Sequence, residues 1–297
     1  MKRIHAAVGL VFLTLLAAEV LAQGPPIHTD TPIMLGLQGR GVRTFVKYVY
    51  LGKAPNLGVE DDVTMIPRLR VRITPVVIPY NLFSDRFQLG VILPLTRIRR
   101  TEIAKQRLSS GMGDVRLFVK YLLLQWDRRQ ETLRLAAKST VKLAAGATDA
   151  VPALGSGSTD VLLSAVAGWI KKRVGLYAEG IYQFSGTFGQ LAYGDKKSVN
   201  LALGYRLFPA VYRRYPSPQL NGFLEINATF TQRSRLNGAE IHNTGGTLVL
   251  ISPGLQYVGG RRWLVEASWQ WPMVHRPNGL QPVMSWQFLL GTRILLF

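Results

Sequence analysis

Thr132 to Leu143 reads Thr-Leu-Arg-Leu-Ala-Ala-Lys-Ser-Thr-Val-Lys-Leu. Taken in steps of two, it separates into two faces. Leu133, Leu135, Ala137, Ser139, Val141 and Leu143 fall on one, and Thr132, Arg134, Ala136, Lys138, Thr140 and Lys142 on the other. A strand points successive side chains to opposite sides, whereas a helix would scatter these cations around its circumference. A segment this long, oily on one side and cationic on the other, suits the wall of a barrel that meets hydrocarbon outside and water inside.

The same period recurs along the chain. In Ile66–Thr74, Leu69, Val71 and Ile73 oppose Arg68, Arg70 and Arg72. In Leu220–Thr231, Leu224, Ile226, Ala228 and Phe230 oppose Glu225, Asn227, Thr229 and Thr231. In Arg262–Trp271, Trp263, Val265, Ala267, Trp269 and Trp271 oppose Leu264, Glu266, Ser268 and Gln270. Twelve segments of this kind are predicted, near 41–51, 64–75, 86–96, 113–125, 131–143, 160–171, 174–185, 197–208, 219–231, 246–258, 261–272 and 285–297. Long polar loops follow the odd ones: 52–61, 97–112, 144–159, 186–195, 232–245 and 272–284. Several even ones are followed by tight turns, such as Asp127-Arg128-Arg129, Lys171-Lys172-Arg173 and Gly259-Gly260. Long loops at one end and short turns at the other are the asymmetry of an outer-membrane barrel. The predicted fold is all-β, a transmembrane antiparallel up-and-down β-barrel of about 12 strands.

The chain of 297 residues carries 36 Lys and Arg against 17 Asp and Glu, and 47% of it is hydrophobic, which argues against disorder. There is no Cys, so disulfide frameworks, thiolate metal sites and Cys nucleophiles are excluded. Four His make a multi-His metal site a poor reading, and no cofactor is expected. Lys2, Arg3 and His5, the apolar run Ala6–Leu16 and the small-residue step Val20-Leu21-Ala22 read as a signal peptide over 1–22. Glu19 stops the run short of the ~20 apolar residues a spanning helix needs. Residues 23–38, with Pro25-Pro26, are expected to be a mobile periplasmic lead-in, with folding back as a plug the alternative. The barrel is expected over 39–297.

Apolar-out alternation places Arg68, Arg70, Arg72, Arg116, Lys120, Arg134, Lys138, Lys142 and Arg206 in the lumen, with Glu179, Glu225 and Glu266 as fewer acids. A mostly cationic wall would concentrate anions and act as a selective screen. The competing reading is that these cations pair with lumen acids in a filled barrel. Trp169 and Trp263 fall near one set of strand ends and Trp269, Trp271 and Trp286 near the other, as interfacial indoles would. Trp126 also falls near an end, but its parity opposes the apolar face of its own strand. Phe297 is a terminal aromatic of the kind the barrel-assembly machinery recognises. The last strand leaves open which face it occupies, because Arg293 and Gly291 interrupt one parity.

Gly90-Val91-Ile92-Leu93-Pro94-Leu95, Gly113-Asp114-Val115-Arg116-Leu117 running into Lys120-Tyr121, and Gly155-Ser156-Gly157-Ser158-Thr159-Asp160 resemble, in order and spacing, the outer-membrane barrel family named for the meta-pathway of phenol degradation. The resemblance implies a transporter barrel that admits small, often aromatic or apolar, molecules. The basic excess does not follow from the family pattern. Physically, the Gly-Asp and Ser-Thr-Asp steps read as loop ends where Asp and Ser satisfy local backbone donors. A catalytic Asp114 or Asp160 is the weaker reading.

The expected function is passive uptake of small solutes, anionic or aromatic, across the bacterial outer membrane. Outer-membrane lipids and a small-molecule solute are the expected partners. One alternative is a barrel lipid hydrolase, whose best remnant is His242 beside Asn243, with no Ser at two-residue spacing from any mature His. The other is a non-conducting structural or adhesin barrel. Nucleic-acid binding is disfavoured, because the charge is spread along alternating strands behind an export leader. Lys171, Lys172, Arg173, Arg261 and Arg262 on turns are candidates to meet lipid phosphates.

Overall fold

The computed structural model describes residues 24–52, 67–102, 105–211 and 216–296. The signal-peptide reading, most of the first long loop and Phe297 lie outside the described residues. The strands are β1 (Arg40–Gly52), β2 (Arg68–Asn81), β3 (Phe87–Thr101), β4 (Gln106–Met112), β5 (Arg116–Arg128), β6 (Glu131–Lys142), β7 (Asp160–Lys171), β8 (Val174–Phe184), β9 (Thr187–Phe188), β10 (Leu191–Ala192), β11 (Lys196–Phe208), β12 (Gln219–Thr231), β13 (Arg235–Leu236), β14 (Ala239–Glu240), β15 (Gly246–Val258), β16 (Trp263–Pro277) and β17 (Val283–Leu296). Each long strand pairs antiparallel with its neighbours, and β1 pairs with β17, Arg40 opposite Leu296. The sheet closes on itself as a 12-strand barrel in which β4 and β5 together form one wall strand against β3. Pairing the first wall strand with the last removes the open edge that hydrocarbon forbids a spanning sheet; β4, which extends the wall at the long-loop end, has its ladder with β3.

The barrel is inverted relative to a water-soluble core. Glu225, Glu266, Asn221 and Gln256 are buried, whereas Leu117, Leu163, Leu201 and Leu290 stand exposed on the outer wall. The predicted segments coincide with the twelve wall strands, with two extensions. The chain expected to be loop from 97 to 112 instead carries the end of β3 and all of β4, which pair from Leu95–Met112 to Thr101–Gln106. The loops after β8 and β12 also contain strand: β9, β10, β13 and β14 form a second, four-stranded sheet at the long-loop end. Tyr193, beside that sheet, donates its hydroxyl to the Ser156 carbonyl at 2.8 Å, tying it to the loop after β6.

A register shift between Leu122 and Leu124 resolves the parity of Trp126. The bulge turns both Leu123 and Leu124 outward and flips every later position of β5, so Trp126 sits opposite Leu133 on the outer face. Trp269 stacks on Trp286 with ring centroids 5.0 Å apart and lies 5.9 Å from Trp271, forming an aromatic group towards the long-loop end. Trp263 and Trp169 face outward near the other end, where the Trp169 indole donates to Glu131 at 2.8 Å. On β17 Leu289 is buried, so Gln287, Gly291 and Arg293 face inward and Trp286, Phe288, Leu290 and Ile294 outward.

Candidate functional site

The lumen is crossed by the segment expected to lie ahead of the barrel. Ile27 is buried against Ile170, Tyr177, Ala202, Phe223 and Leu289, with Ile33 and Phe45 at the margin. Gly24 abuts Gln256, Ile27 abuts Gly254 and Pro32 abuts Gly168; a Cβ at any of these three glycines would collide with that neighbour. The mobile lead-in is therefore corrected to a docked plug. Its sequence shows why it has no structure of its own: Pro25, Pro26 and Pro32 lack the N–H that a helix or ladder would use.

Irregular backbone at this depth must find partners on the wall. Glu225 supplies most of them. Its carboxylate accepts the backbone N–H groups of Ile27 at 2.8 Å, His28 at 3.0 Å and Thr29 at 2.7 Å, together with the Thr29 hydroxyl at 2.7 Å. Glu179 accepts the Asp30 N–H at 3.1 Å. In the other direction, Gln256 donates to the Pro25 carbonyl at 2.9 Å, Arg293 to Pro26 at 2.6 Å, Arg43 to Ile27 at 2.6 Å and Lys120 to Thr31 at 2.9 Å. Successive carbonyls and N–H groups of the plug are thus read by long polar side chains from β1, β5, β8, β12, β15 and β17.

Charge is matched in the same layer. Asp30 is bracketed by Lys120 at 2.7 Å and Lys138 at 2.8 Å. Burial alone would raise its pKa, but the two ammonium groups outweigh that and hold the carboxyl well below the usual carboxylate range. Glu266 sits between Arg43 at 2.7 Å and Arg293 at 2.8 Å. His28 is pushed well below its ordinary value by burial first, then by Lys47, Arg43 and Arg293.

Several expected lumen residues converge here: Lys120, Lys138, Glu179, Glu225 and Glu266. Arg116, Arg134, Lys142 and Arg206 also share the inner face. Lys142 pairs with Asp160 at 2.8 Å and Asp114 at 3.4 Å and contacts Ser156 and Ser158. Asp114 accepts the Gly146 and Ser156 N–H groups, and Asp160 accepts the Gly186 N–H. The two aspartates therefore do the loop-fastening that their position implies. Arg134 reaches Asp127 at 3.4 Å.

Arg68, Arg70 and Arg72 are corrected. Lys47 and Arg43 on β1 face inward beside Leu289 and Arg293, and they lie opposite Ile73 and Val77. That register turns Leu69, Val71 and Ile73 into the lumen and puts the three arginines on the outer wall with Tyr48 and Tyr50. Alternation divides a strand into two faces but does not say which is inside; pairing does. Sequence reasoning missed Arg43, Lys47, Arg293 and Asp30. Arg43 and Lys47 were legible as one parity of β1, and Arg293 as the cation interrupting β17. Among the described residues no group of three or more His, Cys, Asp or Glu is placed to hold a metal ion.

An outer membrane channel from Pseudomonas putida has a similar structure, with 12% identity over 93% of this chain and 100% of that one and a TM-score of 0.71. A looser likeness is to the β domain of the Bordetella autotransporter BrkA, with 12% identity over 86% and 98% of the two chains and a TM-score of 0.49. No curated protein matches the chain. Residues 70–278, well over half of the sequence and including β5, β8, β12 and β15 of the six strands that grip the plug, match the model of the family described as "Putative MetA-pathway of phenol degradation", and the chain belongs to that family.

Proposed function

We propose that this barrel is an outer-membrane conduit for small solutes whose lumen is gated by residues 24–33. The observation that carries this reading is the way the plug is held. Its backbone is bound by side chains reaching in from six strands and by no ladder of its own. Such contacts can be exchanged for water or solute one at a time, whereas a plug built as a packed domain would have to unfold. The likeness to a channel from Pseudomonas putida supports the same reading.

The lumen near the long-loop end is basic. Lys47, Arg100, Arg107, Arg116 and Lys196 share the inner face there, which favours anionic solutes once the plug moves. The arginine screen expected on β2 plays no part, since those side chains face outward.

The test is conductance in planar bilayers of the mature barrel and of a variant lacking 24–33. The deletion is expected to raise single-channel conductance several-fold and to speed liposome swelling with small solutes. A folded deletion barrel no more permeable than the intact one would reject gating by this segment.

A further inference from the structure

The outward turn of β2 creates a surface that the conduit does not use. Register places Arg70 directly opposite Arg99 and Arg72 directly opposite Arg97 on the outer wall, with Arg68 one step further towards the long-loop end. Like charges in directly opposed positions repel each other. An arginine turned towards hydrocarbon is costly at mid-depth and nearly free only close to the interface. Among the described residues, none of these five guanidinium groups has a carboxylate within ion-pair distance; the neighbouring ion pair, Arg100–Glu102, uses a different arginine. The four paired arginines line a concavity of about 560 Å³ whose floor is Tyr48, Tyr50 and Trp286. Arg72 lies 5.9 Å from the Tyr48 ring, and Tyr50 stacks on Trp286 at 6.0 Å.

What would make this arrangement favourable is an anion seated between the pairs. Guanidinium binds phosphate through two parallel N–H···O bonds, and two arginines facing one another can close on one phosphate from both sides. The pairs are two residues apart along the strand, a step of about 7 Å. The wall continues from them towards the short-turn end as bare apolar surface, with Leu95, Ile78 and Leu117 all exposed. Cations stacked above a hydrocarbon-facing wall and beside an aromatic floor match an amphiphile with an anionic head and acyl chains.

We propose that Arg70, Arg99, Arg72 and Arg97 form a binding site on the outer wall for a membrane lipid whose headgroup carries two phosphates, one for each arginine pair. Its acyl chains lie along Leu95, Ile78 and Leu117. This inference rests on the membrane placement proposed above but not on conduction.

The experiment is native mass spectrometry of the full mature barrel in detergent, titrated with diphosphoryl lipid A, monophosphoryl lipid A and phosphatidylcholine. Inorganic phosphate serves as a competitor. The intact protein is expected to hold one diphosphoryl lipid at least about tenfold more tightly than the monophosphoryl form, and the zwitterionic lipid more weakly still. The variant R70Q/R72Q/R97Q/R99Q is expected to lose that preference, while R128Q/R129Q at the opposite end keeps it. If the glutamine variant does not fold, judged by heat-modifiable migration on gels, R70K/R72K/R97K/R99K replaces it. That variant keeps the charge but loses the bidentate geometry, and an intermediate loss is expected. Equal binding of all three lipids, or unchanged binding in the folded variants, would overturn the site. Displacement of the lipid by millimolar phosphate would show a free-anion site instead. Dimers that disappear in the variant would show that a second copy occupies this wall, which also overturns the lipid. A barrel that does not conduct yet retains the lipid would sink the conduit and leave this site standing.

Discussion

Asp30 Oδ1 accepts a hydrogen bond from Lys120 Nζ at 2.7 Å, so a carboxylate of the plug neutralises a cation of the wall 90 residues away. Lys138 takes the other oxygen. Replacing Asp30 with Asn leaves two lysines facing each other inside the lumen without their shared counter-ion. Removing one partner of a buried pair costs about 3–5 kcal/mol, reduced here to about 1–3 kcal/mol because the Asp30 side chain is 21% exposed. Asp30→Asn should therefore raise the open fraction by about 5- to 150-fold, read as open probability in single-channel records. A record indistinguishable from the unmodified barrel would show that the pair does not hold the plug.

Glu225 tests the same device from the wall. Its two oxygens gather three consecutive backbone N–H groups and one hydroxyl, which no neutral side chain can reproduce. Hydrogen bonds to a charged acceptor contribute about 1.5–3 kcal/mol each, roughly twice a neutral one. Glu225→Gln should weaken docking less than Glu225→Ala. Because the chain has no Cys, a single His28→Cys substitution provides a clean reporter. Its labelling by a water-soluble maleimide should be slowest with Glu225 intact, faster with Glu225→Gln added and fastest with Glu225→Ala added. Equal labelling rates in all three would remove Glu225 from the plug's support.

The strand framework was legible because period two survives in nearly every wall strand, and because hydrocarbon outside and polar groups inside leave a chemical signature on each face. Orientation was less legible where both faces carry apolar groups or where the register slips. On β2 the inner face is Leu69, Val71 and Ile73, so the strand alone reads inside out; only the pairing of Ile73 with Lys47 corrects it. On β5 one extra residue at the Leu123–Leu124 bulge reverses Trp126. The plug was least legible. Its Pro-rich stretch has no periodicity, and what fixes it are acids and bases dispersed over six strands, whose convergence appears only once the sheet has closed.

His28 makes docking sensitive to pH. Its backbone N–H is held by Glu225, and burial first, then the positive charges of Lys47, Arg43 and Arg293, favour the neutral ring when docked. A released plug would return it to about 6.5. The docked state therefore binds fewer protons than the released one, and docking weakens as pH falls below the released value. Asp30 does not titrate in this window, since Lys120 and Lys138 hold it far lower. Conductance should rise on acidification from pH 7.5 to 5.5, by up to about tenfold per unit below 6.5, and His28→Gln should flatten the profile. A profile unchanged by that substitution would assign the pH response elsewhere.

The sharpest consequence concerns ion preference, because two sets of cations on neighbouring parts of the wall face opposite ways. Arg107 and Lys47 share the inner face, while Arg68, Arg70 and Arg72 share the outer one. A charge in the lumen acts on a permeating ion through a narrow, low-dielectric tube, whereas one on the outer wall is separated from it by the sheet and screened within about 10 Å by salt. In the barrel lacking 24–33, Lys47→Glu with Arg107→Glu should move the reversal potential in a salt gradient away from anion preference. Arg68→Glu with Arg70→Glu and Arg72→Glu should leave it nearly unchanged. The opposite outcome, with the β2 arginines controlling selectivity and the inner pair silent, would mean that β2 presents its cationic face to the lumen and that the register between Ile73 and Lys47 is wrong.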